Sequence, residues 1–522
     1  MRSRALALTA IIALGAPTAL AFRRGGDFTA PFHPVAPLVA AIAAWVLVLI
    51  VAVAAPVPLP CSRAGRLTLA GMTLLAAWSG ASIAWAPVAG TAERDFELNL
   101  FYLAAFLVGA AALRGGATRR RLEPALATGA CVVMGYALAV RLLPGVIPSL
   151  RTPAADNRLD QPLTYWNAEG ALAAMGLVLC ARILGDGARS ATARVLAGAA
   201  CAPLAAGLYL TYSRGALAAA GAALIVLLLA APSWPQLRAV TLALIASALT
   251  VFAVTRFPIV ASLSGSRAAI EREGALFLGV LLALALGTAA TAAAGLRIEG
   301  RPGARVGSLA LPRWAPVAAT AMLLLVVGAL VYAGLQERKA PPRPGTVASA
   351  ARLTRVDTTR YAYWRVAVRA FAAEPVRGLG AAGFAVAWLR ERPTSETPRR
   401  AHSLELETAA NLGLVGVAAL VMLLTGAVLA AVRAHRRRPD LVAGWCAAAT
   451  VWLLHSAIDW DWEMPAVTLV ALLLAAALVG VADDPYRPGS STANRARARA
   501  SRPGSTPRAR ESIESQTKAS SG

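Results

Sequence analysis

The sequence predicts an all-α, polytopic integral membrane protein, and three observations predict it. Of 522 residues, 57% are apolar and only 15% charged, with a mean hydropathy of +0.60. A soluble surface needs roughly a quarter of all residues charged. Apolar stretches near the ~20 residues that cross a bilayer recur along most of the chain. Arginines gather in alternate connections between those stretches, as the charge asymmetry of membrane proteins demands.

The stretches lie at about 5–22, 35–57, 67–87, 98–113, 123–143, 167–184, 195–212, 215–231, 238–255, 275–296, 315–335, 409–432, 441–458 and 465–482. They amount to about fourteen transmembrane helices. The first, with Arg2 and Arg4 ahead of a short apolar core and Ala-Leu-Ala at 19–21, also suits a secretory signal peptide. Its cleavage would remove one span without changing how the others face. The chain then divides into N-terminal spans (1–144), core spans (145–335), one long connection (336–407), C-terminal spans (408–482) and a tail (483–522).

Orientation follows from where arginine collects. The connections with Arg63/Arg66, Arg114/Arg119/Arg120/Arg121, Arg189/Arg194, Arg297/Arg301/Arg305 and Arg433/Arg436/Arg437/Arg438 alternate along the chain and share a side with both termini. That side is expected to be cytoplasmic. The connections between them, such as Glu93 to Glu97 and His455 to Glu463, are neutral or acidic, as extracytoplasmic ones should be. After Asp484 the chain is Ser, Pro, Gly and Arg with few large apolar residues, which predicts a disordered cytoplasmic tail. Its arginines either touch anionic lipid headgroups or are simply solvated.

The 51 Lys+Arg outnumber 27 Asp+Glu, yet Lys339 and Lys518 are the only lysines. Such an arginine excess accompanies GC-rich coding and does not by itself imply an anionic ligand; no nucleic-acid partner is expected. Five cysteines without a CxxC pair argue against a disulfide framework or a zinc site. The histidines His33, His402, His435 and His455 form no metal-binding spacing. The chemistry is therefore expected to run with no metal and no cofactor.

The connection from about Gln336 to Glu407 is the only one long enough to build a surface of its own, and it is basic on the side where no such bias is expected. Arg352, Arg355, Arg360, Arg365, Arg369, Arg377, Arg390, Arg392, Arg399 and Arg400 serve either an anionic substrate at the membrane surface or plain solubility. Asp357 to Phe371 reads as an amphipathic helix ended by Pro375. At about 100° per residue Trp364, Val368 and Phe371 form its apolar stripe. Arg360 falls on that stripe and needs a partner to offset its desolvation, which makes it a candidate substrate contact. Arg365 and Arg369 point away; Arg365 is kept as a secondary substrate-binding candidate. The glycines in Pro375-x-x-Gly378-x-Gly380-x-x-Gly383-Phe384 do not follow a strand of a βαβ unit. They read as a tight turn that brings backbone close to another helix.

Three further places stand out. Thr211-Tyr212-Ser213-Arg214-Gly215-Ala216 joins two apolar helices through almost no loop, so Arg214 sits beside a helix start. Free amides and a planar guanidinium both donate to phosphate oxygen; the competing reading is an arginine reaching to lipid headgroups. His402 opens the helix leading into the next span, with Glu405 and Glu407 one turn on. Among arginines on the outside, it is a candidate general base or orienter of an acceptor. In His455-Ser456-Ala457-Ile458-Asp459-Trp460-Asp461-Trp462-Glu463, Asp459 and Asp461 alternate with tryptophans. This pattern suits sugar binding, and equally an interfacial aromatic belt with solvated acids.

These segments together resemble the O-antigen ligase/polymerase superfamily of bacterial membrane glycosyltransferases. The resemblance rests on Ser213-Arg214-Gly215-Ala216, on Arg360-Tyr361-Ala362-Tyr363-Trp364 with Pro375, Gly378, Gly380 and Gly383-Phe384, and on His402 followed by Leu406-Glu407 and Gly413-Leu414-Val415-Gly416. Tyr165-Trp166-Asn167-Ala168 ahead of an apolar helix adds to it, and the likeness covers roughly Asp160 to Val481. The pattern departs at Ser403, where the family commonly has Asn, and at Asn411, where an acidic residue is usual.

The resemblance implies a GT-C-like helical fold and an undecaprenyl-diphosphate-linked glycan donor. The glycan would pass with inversion and without a metal to a glycan, lipid or protein acceptor at the outer face. With no metal, charge developing on the departing diphosphate needs cationic stabilisation, assigned to Arg214 and Arg360. His402 would orient or deprotonate the acceptor hydroxyl, with Glu405 or Glu407 in support. A polytopic transporter of a small anion or lipid-linked glycan is the alternative. Carriers place ionisable residues near the mid-bilayer, whereas these spans are almost free of charge.

Overall fold

A computed structural model describes residues 1–28, 35–147, 152, 155–300, 307–309, 359–393 and 395–484. In chain order its helices are α1 (Arg2–Ala21), α2 (Val35–Ala54), α3 (Arg63–Ser82), α4 (Ala89–Ala112), α5 (Gly116–Leu142), α6 (Trp166–Gly185), α7 (Ala191–Leu210) and α8 (Arg214–Ala230). They continue with α9 (Trp234–Val254), α10 (Pro258–Ser262), α11 (Arg267–Glu299), α12 (Arg360–Ala373), α13 (Phe384–Glu391), α14 (Leu404–Arg437), α15 (Pro439–Ser456) and α16 (Pro465–Asp483). Each expected span coincides with one of these helices, except 315–335. That span, residues 336–358 of the long connection with Arg352 and Arg355, and the tail from 485 lie outside the described residues. Among the described helices, 10 are long and apolar enough to cross a membrane.

Local chemistry sets the ends of these helices. Ser62, Ser190, Ser213, Ser233, Ser266 and Ser403 each precede a helix, and each side chain accepts a hydrogen bond from a backbone N–H in the first turn. One end of Met1–Asp483 is tied together by the arginine-rich connections. Asp483 accepts from the backbone N–H of Cys61 and Ser62, both at 2.9 Å, and from Arg114 Nη2 at 2.7 Å. Arg189 meets Glu123 at 2.8 Å, and Arg437 donates to the carbonyls of Val481 and Ala482. The opposite end gathers the segments that matter for function.

Helix packing without water relies on close approach of backbones through small residues. Gly71 of α3 lies against the backbone of Ala419 and Leu423 in α14, and Gly426 of α14 against the backbone of Ala64 and Thr68. A Cβ at either glycine would meet backbone closer than 3.0 Å.

The course of α14 breaks at Gly413, where φ is 61° and ψ −158°. Such a break frees backbone groups that membrane surroundings cannot hydrate. The turn after Pro375 takes them up: Leu379 N–H donates to Ala410, Gly380 N–H to Asn411, and Leu414 N–H to the Pro375 carbonyl. Trp78 Nε1 donates to the Leu412 carbonyl at 3.0 Å. The Gly378–Gly383 stretch is thus the close-approach turn its spacing suggests. Gly378 and Gly380 have φ of 70° and 92°, and a Cβ on Gly380 would fall 2.5 Å from Ala86 Cα.

Candidate active site

The segment 457–464, between α15 and α16, is the hub. Asp459 is wholly buried there. Its Oδ2 accepts from Arg360 Nη2 at 2.5 Å, and its Oδ1 accepts from the Tyr165 hydroxyl at 2.5 Å and the Trp460 backbone N–H at 2.9 Å. Burial, the largest single influence, raises this carboxyl's pKa, but the Arg360 guanidinium together with His402, His455 and the Tyr165 hydroxyl holds it below the usual range. Asp459, expected from the sequence to bind sugar, has both carboxylate oxygens engaged by protein groups. It is a buried counter-ion that orients Arg360.

Arg360 begins α12, whose buried face is Tyr363, Val366, Ala367 and Ala370. The expected stripe of Trp364, Val368 and Phe371 is not this face, and Val368 is exposed. The error lies in ranking residues by hydrophobic bulk: small Ala367 and Ala370 face α14 because they allow it close. Arg360 nevertheless stands one turn before Tyr363, on the covered side. Arg365 lies on the exposed side, away from the hub.

His402 has a left-handed backbone, φ 56°, at the entry to α14. Its carbonyl accepts from Trp364 Nε1 at 3.2 Å, and its ring packs beside Tyr363 and, edge-on, 6.4 Å from Trp460. The Nδ1 atom lies 3.0 Å from the Arg400 carbonyl oxygen. A carbonyl only accepts, so Nδ1 carries the proton and Nε2 the lone pair. Burial lowers the His402 pKa to about 4, against a smaller opposing pull from Asp459. The ring is neutral at physiological pH, with Nε2 an acceptor.

Neither glutamate supports His402. Glu405 is exposed and accepts from Ser403 Oγ at 3.2 Å. Glu407 is buried and turned to Arg400 Nη1 at 3.1 Å and the Ala401 N–H at 2.9 Å. Arg400 itself, 6% exposed, also pairs with Asp95 at 2.8 and 3.0 Å and with Glu463 at 2.8 Å. Burial, with Asp95 and Glu407 nearby, holds the Glu463 carboxyl well above its usual range despite Arg400. Sequence reasoning counted Arg400 only among loop arginines and missed Asp95. An acidic residue at the mouth of an apolar span was the available signal. Such groups also correct the expectation of nearly charge-free spans: Asp95 and Glu407 are buried where helices extend past their apolar stretches, and Glu123, Arg141, Glu169 and Arg182 are buried within the stretches themselves.

Arg214 is the first residue of α8, half-buried, behind the Ser213 cap. Ser213 Oγ lies 3.4 Å from His455 Nε2, and His455 Nδ1 lies 2.5 Å from Asp461 Oδ2. All three side chains are buried, at 3%, 1% and 0% exposure. The order Ser–His–Asp resembles a nucleophilic triad. Here Ser213 Oγ is sealed from substrate and also accepts from the Ala216 N–H. The array instead fixes the turn that presents Arg214, and Gly215 is small because the His455 ring lies against it. Asp461, like Asp459, is enclosed by protein.

The structure therefore brings Arg214, Arg360 and His402 to one hub, through Ser213–His455, Arg360–Asp459 and the His402–Trp460 ring contact. Thr164, Tyr212 and His402, all around it, have positive φ, a conformation that costs non-glycine residues of order 1–3 kcal/mol and clusters at functional sites. Of the departures from the family pattern, Ser403 caps α14 and Asn411 Oδ1 accepts from the Phe384 N–H at 2.8 Å.

Comparison with curated proteins finds no match. A family model described as O-antigen ligase matches residues 199–421, which hold Arg214, Arg360, the Gly378–Gly383 turn and His402. Within a helical fold that has membrane-length apolar helices, residues 199–421 thus carry a domain similar to the O-antigen ligase family.

Proposed function

We propose that the protein transfers a glycan from an undecaprenyl-diphosphate-linked donor to an acceptor hydroxyl on a glycan, lipid or protein. The reaction inverts the anomeric centre and uses no metal. It takes place at the extracytoplasmic face, with both termini cytoplasmic and the arginine-rich connections at the opposite end. The observation that carries this reading is the hub at 457–464, which unites two arginines and a neutral histidine.

In this mechanism Arg360, oriented by Asp459, and Arg214, at the start of α8, receive the negative charge that grows on the diphosphate as the glycosidic C–O bond breaks. His402 Nε2 accepts the proton of the attacking hydroxyl, and its Nδ1–H remains on the Arg400 carbonyl. A proton acceptor with a low pKa suits a step in which the hydroxyl proton leaves late, after the anomeric carbon has become electron-poor.

An apolar groove of about 420 Å³ supports a lipid-linked donor. It runs along α14, α15 and α16 and reaches Trp462 at the hub. A carrier's hydrocarbon chain can lie there while its headgroup meets the arginines.

The test is glycan transfer by protein in lipid nanodiscs supplied with lipid-diphosphate-linked glycan. Arg214→Ala and Arg360→Ala are each expected to lower the rate at least about 100-fold, and His402→Ala by a similar factor, with insertion unchanged. Wild-type transfer by both arginine variants would overturn the assignment.

A further inference from the structure

Arg141 stands in the last turn of α5, at the hub end of the molecule, although the charge asymmetry gathers arginine at the other end. It is only 4% exposed. A guanidinium withdrawn from water needs its N–H groups satisfied. Each of its three nitrogens reaches a backbone carbonyl: Nε donates to Val260 at 2.9 Å, Nη1 to Asn157 at 2.5 Å and Nη2 to Ala261 at 2.8 Å. One side chain thus holds two separate segments, residues 155–160 ahead of α6 and the short helix α10.

Both segments need such an anchor. Asp156 and Asn157 have φ of 49° and 62°, a conformation that non-glycine residues keep only where their surroundings impose it. The Val260 and Ala261 carbonyls belong to the last turn of α10, where a helix leaves its acceptors open. Both segments then brace the same target. The Leu159 N–H donates to the Leu210 carbonyl at 3.0 Å, and the Tyr212 hydroxyl donates at 3.2 Å to the Ala261 carbonyl that Arg141 also holds. Leu210 ends α7, Tyr212 follows with φ of 50°, Ser213 caps α8 and Arg214 opens it. So short a junction has no slack, and a shift at Tyr212 passes directly to Arg214. Arg141 itself, with every nitrogen on a carbonyl and almost no free surface, acts through this junction and not on a substrate.

We infer that Arg141 is a positioning residue for Arg214, fixing the 210–214 junction through two braces so that the Arg214 guanidinium is in place when the diphosphate departs. The inference rests on the glycosyl transfer proposed above. A preorganised cation works by standing where charge develops, and a misplacement of about 1 Å can cost about 100-fold in rate.

The experiment takes two readings on the full chain in lipid nanodiscs. The first is hydrogen–deuterium exchange of peptides covering 210–217, read by mass spectrometry. Arg141→Lys keeps the charge but loses the planar fork that reaches three carbonyls, and Tyr212→Phe cuts only the α10 brace. Each is expected to speed exchange at 210–217 at least about fivefold, with peptides covering 404–412 unchanged. The second reading is glycan transfer in a double-variant cycle. Arg141→Lys is expected to lower kcat at least about tenfold, and Tyr212→Phe about threefold. In an Arg214→Ala background both losses should shrink below about twofold, because no guanidinium remains to be misplaced. A general loosening of the fold would instead lower the rate by the same factor in both backgrounds. Equal losses with and without Arg214, or wild-type exchange at 210–217 in both variants, would therefore overturn the inference. Should Arg141→Lys not insert, Tyr212→Phe decides on the same terms. Faster exchange in the variants with no transfer by the wild type would refute the proposed reaction alone and leave Arg141 as the anchor of the junction.

Discussion

At the scale of single residues, His402 makes the sharpest claim because its environment determines both tautomer and charge. The Arg400 carbonyl fixes the proton on Nδ1, and burial lowers the pKa to about 4. A depressed basic group is neutral in the folded protein above that value, so a step that needs the Nε2 lone pair is lost only as pH falls through about 4. An ordinary histidine would lose it near 6.5. The rate constant kcat/KM for transfer is therefore expected to stay level from pH 8 to about 5 and to decline below; an inflection near 6.5 would contradict the assignment. The same depression has a stability consequence of definite sign. As pH falls from about 6.5 towards 4 the unfolded chain binds this proton first, so the fold loses stability across that window. His402→Asn is the cleanest variant for the rate measurement, because Asn tolerates the left-handed backbone that Ala does not.

At the scale of elements, the Gly378–Gly383 turn and the break in α14 work as one unit, each satisfying the backbone the other leaves open. Gly380→Ala imposes a left-handed conformation and a Cβ 2.5 Å from Ala86 Cα and 2.9 Å from its nitrogen. It is expected to cost at least about 2 kcal/mol, seen as a lower apparent Tm and faster thermal inactivation. Gly279→Ala, in α11 with nothing within 4 Å of the new methyl, is expected to stabilise by about 0.5–1 kcal/mol. An unchanged Tm for Gly380→Ala would mean that the turn yields freely. This contrast also marks how far sequence reasoning reaches. The glycine spacing correctly signals a close approach, since a glycine is a local requirement of backbone. What it approaches is not legible, because Ala86 and Asn411 lie far off in sequence. Helix α12 fails for a related reason: alanines carry little hydrophobic weight, yet Ala367 and Ala370 are buried because the neighbouring helix comes close there. The spans themselves are legible because hydropathy over about 20 residues is decided locally. Asp459 and Asp461 are not, since nothing near them announces that Arg360 and His455 enclose them.

At the scale of the whole molecule, Arg400 is the junction of the hub end. It draws Asp95 of α4, Glu407 of α14 and Glu463 before α16 onto one guanidinium within 3.1 Å. Three separate parts of the chain thus meet at the residue whose carbonyl holds His402. Replacing such an arginine does more than delete attraction, because it leaves buried carboxylates facing one another without a cation. Arg400→Met is expected to destabilise by at least about 3–5 kcal/mol and to lose transfer even though no proposed catalytic residue is altered. Its pH dependence distinguishes electrostatics from lost packing. In the variant the Glu463 carboxyl, already held well above its usual range by burial, loses the guanidinium that opposes this, so its neutral form is favoured further. Stability from that protonation is present at low pH and lost as pH rises through the raised value. The Tm gap between wild type and Arg400→Met should therefore narrow as pH is lowered from 8 to 5, and adding Asp95→Asn with Glu463→Gln should recover part of it at pH 8. A gap independent of pH, with no recovery in the triple variant, would mean that Arg400 contributes shape rather than charge.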